Sequence, residues 1–229
     1  MKKLTYLLLA LFLLAGSTAM AQTGVRFGFK AGYSLAMQYG IDPADETFTV
    51  ETSNRNGIAG GILIYFPITQ SVGIQQELLY AMKGSGQDVS VTEDGIPVNT
   101  VSEYKLNYFD MPILVRYKFV NIKNISIYGQ TGIALSLLLN GDYDIVSTVE
   151  VPGVGPIVTN ESGDMKGLDI FDYSFLYGFG VDFDLLGKNL FFEARMTIGW
   201  NTLAMPNVEN ADPVPLRNQN YVFTTGMYF

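Results

Sequence analysis

The chain has 229 residues, a net charge of -8 and only 16% charged residues, well under the roughly 25% of ordinary soluble domains. It contains no Cys and no His, which excludes disulfide staples, the usual metal ligands and the commonest general base near neutral pH. Beyond the first residues no run reaches the roughly 20 apolar residues of a membrane helix, while 24 Gly, 14 Tyr and 15 Phe favour strands broken by turns.

Lys2 and Lys3, an apolar run over residues 4–15, and Ala19-Met20-Ala21 form the three parts of a secretory signal peptide. Residues 1–21 are therefore expected to be removed, leaving residues 22–229 as one domain. No Cys follows the apolar run to carry a lipid anchor.

Eight segments of period two follow, near residues 25–35, 58–66, 72–83, 108–119, 125–137, 173–183, 190–200 and 221–229. In 173–183, for example, Tyr173, Phe175, Tyr177, Phe179, Val181 and Phe183 alternate with Ser174, Leu176, Gly178, Gly180 and Asp182. Segments of about ten residues suit tilted strands crossing a bilayer. Short links near 67–70, 120–124 and 184–189 alternate with long ones near 36–55, 84–103, 140–170 and 201–217, as in an up-and-down barrel with short periplasmic turns and longer outer loops. That order puts both termini on the periplasmic side. The long links hold 16 of the 22 acidic residues and only Arg55, Lys166 and Arg217 as basic ones. The Pro-rich stretches 151–158 and 211–217 read as loop with locally extended backbone, the first as a hairpin extension of the third outer loop.

A soluble barrel of the lipocalin type and a membrane barrel share this alternation but turn opposite faces inward. Three features select the membrane form. Gly28, Gly32, Gly73, Gly132, Gly178, Gly180, Gly199 and Gly226 all lie on the polar face, which suits the crowded interior of eight strands better than a solvated surface. The charges of that face are balanced: Arg26, Lys30, Lys83, Arg116, Lys118 and Arg195 stand against Glu77, Asp110, Asp172, Asp182 and Glu193. Buried charges need such partners, so these eleven are expected to form a lumenal ion network. Finally, the chain ends in an aromatic residue, Phe229, on an alternating strand, a form of ending read by the outer-membrane assembly machinery. The expected fold is an all-β, eight-stranded antiparallel up-and-down transmembrane β-barrel in the outer membrane of a Gram-negative bacterium.

"QQELLYAMKG" (residues 75–84) resembles a Gln-x-Glu-Leu-x-Tyr-x-x-Lys-Gly pattern, and "YFDMPILVRYKF" (108–119) resembles Tyr-Leu-Glu-Ile-Pro-Leu-Leu-x-Lys-Tyr. Both patterns, with "GFGVDF" and "FFEARM" later, are similar to the PorT-like outer-membrane β-barrel family of Bacteroidetes. Gln76, Asp110 and Met196 depart from its usual Pro, Glu and Tyr. The resemblance implies the barrel; a secretion role linked to one member does not extend to every relative.

The expected function is structural or surface-interacting. The lumen is closed by side chains, and the long acidic loops face either solvent alone or an extracellular partner not identified from sequence. Lipopolysaccharide and outer-membrane lipid are the surrounding partners. A narrow transport or secretion-accessory barrel and a soluble lipocalin-like ligand-binding barrel are the alternatives. Catalysis is not expected without His: Glu77 and Asp110 could act together as carboxylates, but each has a cation available to pair with. No cofactor, metal or nucleic-acid motif is present.

Overall fold

The computed structural model describes residues 24–39, 49–93, 95–165, 167–200, 203–204 and 215–229. The expected signal peptide and residues 211–214 of the second Pro-rich stretch lie outside these. The described residues form eleven strands: β1 (Arg26–Tyr39), β2 (Thr49–Ser53), β3 (Arg55–Pro67), β4 (Val72–Glu93), β5 (Ile96–Ile122), β6 (Ile125–Val151), β7 (Gly155–Asp164), β8 (Phe171–Leu185), β9 (Lys188–Gly199), β10 (Leu203–Ala204) and β11 (Pro215–Tyr228).

Eight of them form a ring of antiparallel neighbours in the order β1, β3, β4, β5, β6, β8, β9, β11, and β11 pairs back to β1. Lys30 thus stands opposite Gly61 on one side and Gly226 on the other. The last residue is fastened too, since Phe229 N donates to Phe27 O at 2.7 Å. Closure satisfies every strand edge within the ring, a requirement where no water reaches the backbone.

Alternation then sorts the side chains. Ile62, Ile133 and Phe179 are 57%, 55% and 64% exposed on the outer wall, while Arg116 and Glu77 are sealed inside. A soluble core has the opposite order, so the wall is built for lipid. The interior glycines make room for large rings. A Cβ on Gly180 would fall 2.3 Å from Tyr128 Oη, and one on Gly226 2.3 Å from Phe191 Cζ.

The strands correct the expected loops. Residues 84–93 and 96–103 form the upper parts of β4 and β5, with Glu93 paired to Ile96 and Gly95 at φ 78°. Asp94-Gly95 is a hairpin signature. Residues 140–165 form a second hairpin, β6 with β7, whose tip holds Val151 opposite Gly155; here the expected hairpin extension is present. With β2 paired to β4, the strands β2, β4, β5, β6 and β7 make a sheet standing on the barrel's long-turn end. β5 has 27 residues, roughly 90 Å of strand, where a crossing takes about 9–11 residues. The β5–β6 register slips between Asn107 and Tyr108, leaving Leu139 as a bulge. On the other side of β5, Gly84 of β4, paired with Lys105, adopts φ 121°. Bulges bend and twist strands, and these mark where the closed ring opens into the protruding sheet.

Candidate functional site

Ten of the eleven expected lumenal charges form three tiers along the barrel axis. The middle tier is contributed by β1, β4 and β9. Lys30 Nζ lies 2.8 Å from Glu77 Oε1 and 2.5 Å from Glu193 Oε1. Arg195 reaches both oxygens of Glu77 at 2.8 Å and Glu193 Oε1 at 2.8 Å. Gln75 Nε2 also donates to Glu77, while Gln130 Nε2 and Thr224 Oγ1 donate to Glu193, each at 3.1 Å. Two cations and two carboxylates cancel here.

Nearer the short-turn end, Arg116 Nη2 holds Asp182 Oδ1 at 2.8 Å and Lys118 Nζ approaches the same carboxylate at 3.5 Å. The Arg116 guanidinium stacks on Tyr128, 3.5 Å from its ring centroid, and donates to Gln75 Oε1 at 2.8 Å and to Tyr228 Oη. Stacking and a forked donor set suit Arg better than Lys at such a position. Two cations face one carboxylate in this tier. At the long-turn end the balance reverses, with Lys83 Nζ 3.0 Å from Asp110 and 3.7 Å from Asp172. Ser136 Oγ accepts from Lys83 at 2.9 Å, and Asn218 Nδ2 donates to Asp172 at 3.0 Å. Ser85, Gln38 and Asn218 continue the hydrogen bonding across β4, β1 and β11.

Arg26 is the exception. It is half-exposed at the rim, opposite Tyr65 at the first position of β1, and joins none of the ion pairs among the described residues. The outermost residue of a strand clears the lumen and reaches water instead. Glu77 and Asp110 are not brought together either; Glu77 sits with Glu193, and Asp110 lies a tier away beside Lys83. Arg55, expected in an acidic loop, is buried at the head of β3, where Nη1 donates to Lys83 O and to Leu106 O and Nε lies 3.8 Å from Glu103.

Sequence reasoning centred on charges also left out Gln75, Gln130, Tyr65, Tyr128, Phe191 and Tyr228, the neutral filling of the lumen. The signal was available in the alternation, since Gln75, Tyr128, Gln130, Phe191 and Tyr228 fall on the same face as the charges. Among the described residues no group of three or more His, Cys, Asp or Glu could hold a metal ion. The outer wall carries a groove over Gly129, lined by Val115, Tyr117, Thr131, Tyr177 and Phe179.

The protruding sheet has different chemistry. Its β-branched residues, such as Val98, Val101, Val146, Val149, Ile157 and Val158, interleave with Ser, Thr, Asn and carboxylates, and both faces are open to water. Lys105 of β5 binds the Asp144 carboxylate and lies 3.5 Å from Glu103. Donating to the Asp144 carboxylate raises the Lys105 ammonium above its ordinary range. Tyr143 Oη donates to Glu161 Oε1 at 3.0 Å, and the bonded carboxylate pushes the phenol up.

No curated protein matches the sequence. Among solved structures the chain is similar to Ail, the attachment invasion locus protein of Yersinia pestis, at 12% identity over 89% of this chain and 98% of that one, with a TM-score of 0.39. It is similar to the outer membrane protein OprG from Pseudomonas aeruginosa at 8% identity over 89% and 95%, with a TM-score of 0.47. Neisserial surface protein A is similar at 12% identity over 90% and 99%, with a TM-score of 0.41. The ring of eight strands carries lipid-facing side chains outside and paired charges within, and residues 19–204 match the model of the outer membrane protein beta-barrel domain, the family to which this chain belongs.

Proposed function

We propose that the protein is a non-conducting, non-enzymatic surface barrel whose lumen is structural and whose working part is the protruding sheet on the extracellular side. The observation that carries this reading is the overlength of β4, β5 and β6, with 22, 27 and 27 residues, far beyond the needs of a bilayer. Strand added outside the membrane contributes nothing to anchoring, whereas loops and extensions are where binding residues collect. The lumen supports the same reading. Every carboxylate in its three tiers has a cation within 4 Å, so the charges brace the wall and leave no free acid–base pair. The barrel is inserted with both termini in the periplasm, after cleavage of residues 1–21 and recognition of Phe229 by the assembly machinery. The acidic sheet then stands above the lipopolysaccharide layer of a Bacteroidetes-type cell, in the manner implied by the PorT-like motifs.

Protease treatment of intact cells tests the orientation and the role together. Cleavage within residues 84–103 or 140–165, with the barrel itself spared, is the expected result. Resistance in intact cells with cleavage only after the outer membrane is opened would invert the barrel and end this reading. Steady ion-selective openings in a planar bilayer would end the non-conducting part of it.

A further inference from the structure

We propose that β7 is an open docking edge onto which a cationic, extended segment of a protein partner adds as a further strand. The inference rests on the surface reading above and names the partner's chemistry. β7 is paired to β6 along all ten of its residues, and among the described residues it pairs with nothing on its other side. In an antiparallel sheet, alternate residues of such a strand turn N–H and C=O groups outward, a row of donors and acceptors that a second chain can complete. Proteins ordinarily blunt such edges with lysines, bulges or very short strands. β7 has no basic residue, keeps an unbroken register with β6, and is long; Pro156 removes a donor only near the hairpin tip.

Side chains state what fits. Ile157 and Val158, 50% and 56% exposed, offer one apolar contact on each face near the tip. Toward the barrel the edge becomes acidic, with Glu161 and Asp164 on β7 and Asp142 and Asp144 on β6. Residues 140–165 contain no Lys or Arg. The cation that approaches them, Lys105, is already held by Asp144 and Glu103. An incoming strand therefore places Lys or Arg beside Glu161 and Asp164 and β-branched residues beside Ile157 and Val158. A second copy of β7 is disfavoured, because it adds two further carboxylates to an edge that, among the described residues, has no cation beside it other than the engaged Lys105.

The test uses the full chain refolded into lipid nanodiscs and a fluorescent, end-capped decapeptide alternating Lys with Val and Thr. Two control peptides replace Lys with Glu, or methylate alternate backbone nitrogens of the Lys form. Asn160→Pro removes an outward-facing β7 donor, and retained heat-dependent gel mobility shows that its barrel is intact. The expected result is saturable binding of the Lys peptide with slowed amide exchange in β7. Backbone methylation and Asn160→Pro should each weaken it by roughly tenfold or more, as should the Glu replacement. Equal binding by the methylated peptide or by Asn160→Pro would reduce the effect to charge attraction and overturn the proposal. So would an absence of binding, or dimerisation through β7 in sedimentation. Failure here with cell-surface cleavage intact removes only the docking edge; failure of both removes the surface reading as well.

Discussion

Removing Glu77 from the middle tier measures how far the barrel depends on its lumenal ions. At 2.8 Å, and with an effective dielectric constant near 20, each attraction from Lys30 and Arg195 is roughly 6 kcal/mol before solvation is counted. Most of that is offset by the cost of taking the carboxylate out of water and by repulsion from Glu193. The change that matters is what remains in Glu77→Gln: Lys30 and Arg195 share Glu193 alone, leaving one buried positive charge unpaired. Breaking a buried pair from one side costs about 3–5 kcal/mol, and the same loss is expected for Arg195→Met. Combining the two changes restores neutrality, so the double variant should lose much less than the sum. The assay is reversible urea unfolding in lipid vesicles, followed by the fluorescence of Trp200, the only Trp in the chain. Single variants within about 1 kcal/mol of the parent, or losses that add to within about 0.5 kcal/mol in the double variant, would refute the network as a coupled unit.

The packing of the lumen against its glycines separates two otherwise identical substitutions. Gly226→Ala sets a methyl 2.3 Å from Phe191 Cζ and 2.4 Å from Phe29 O, and should cost about 1–3 kcal/mol in the same unfolding assay. Gly129→Ala on the outer wall meets nothing closer than 3.8 Å and should stay within about 0.5 kcal/mol of the parent; equal losses would mean the faces are misassigned. Ile133→Arg places a charge midway up the wall, opposite Ile113 and Phe175, and should cost about 2–4 kcal/mol in vesicles. An unchanged unfolding midpoint would restore the soluble-barrel alternative. In the protruding sheet, the raised Lys105 means that its contact with Asp144 is fully present below the ordinary lysine range and is lost as pH climbs through the higher folded value. The Lys105 Cε resonance should titrate at a lower pH in Asp144→Asn than in the parent, and an unchanged midpoint would refute the pairing.

Much of the barrel was legible because lipid imposes a simple rule on strands. A residue on the wall meets hydrocarbon and its neighbour meets the lumen, so a period of two runs through Phe175, Tyr177 and Phe179 without interruption. The same rule put Glu77, Arg116 and Glu193 inside from sequence alone. It failed where the rule stops applying. Above the bilayer both faces of β5 and β6 meet water, so Val98, Thr100 and Ser102 alternate with Asn99, Val101 and Glu103 and carry no apolar face to read. Those residues look like loop although an Asp-Gly pair, a hairpin signature, stands just before them in the sequence.

The residue order by itself determined which side chains face each other's environment: apolar to lipid, balanced charge to the lumen, acid to the long links. Only closure decided the partners. Arg195 meets Glu77 from 118 residues away because the register of eight strands brings the middle of β9 level with the middle of β4, and period two carries no information about height. Closure likewise sorted ten charges into three tiers, left Arg26 at the rim and drew Arg55 inward. It also left β7, among the described residues, paired with β6 alone, since whether a strand finds a second neighbour depends on the whole sheet and not on the strand.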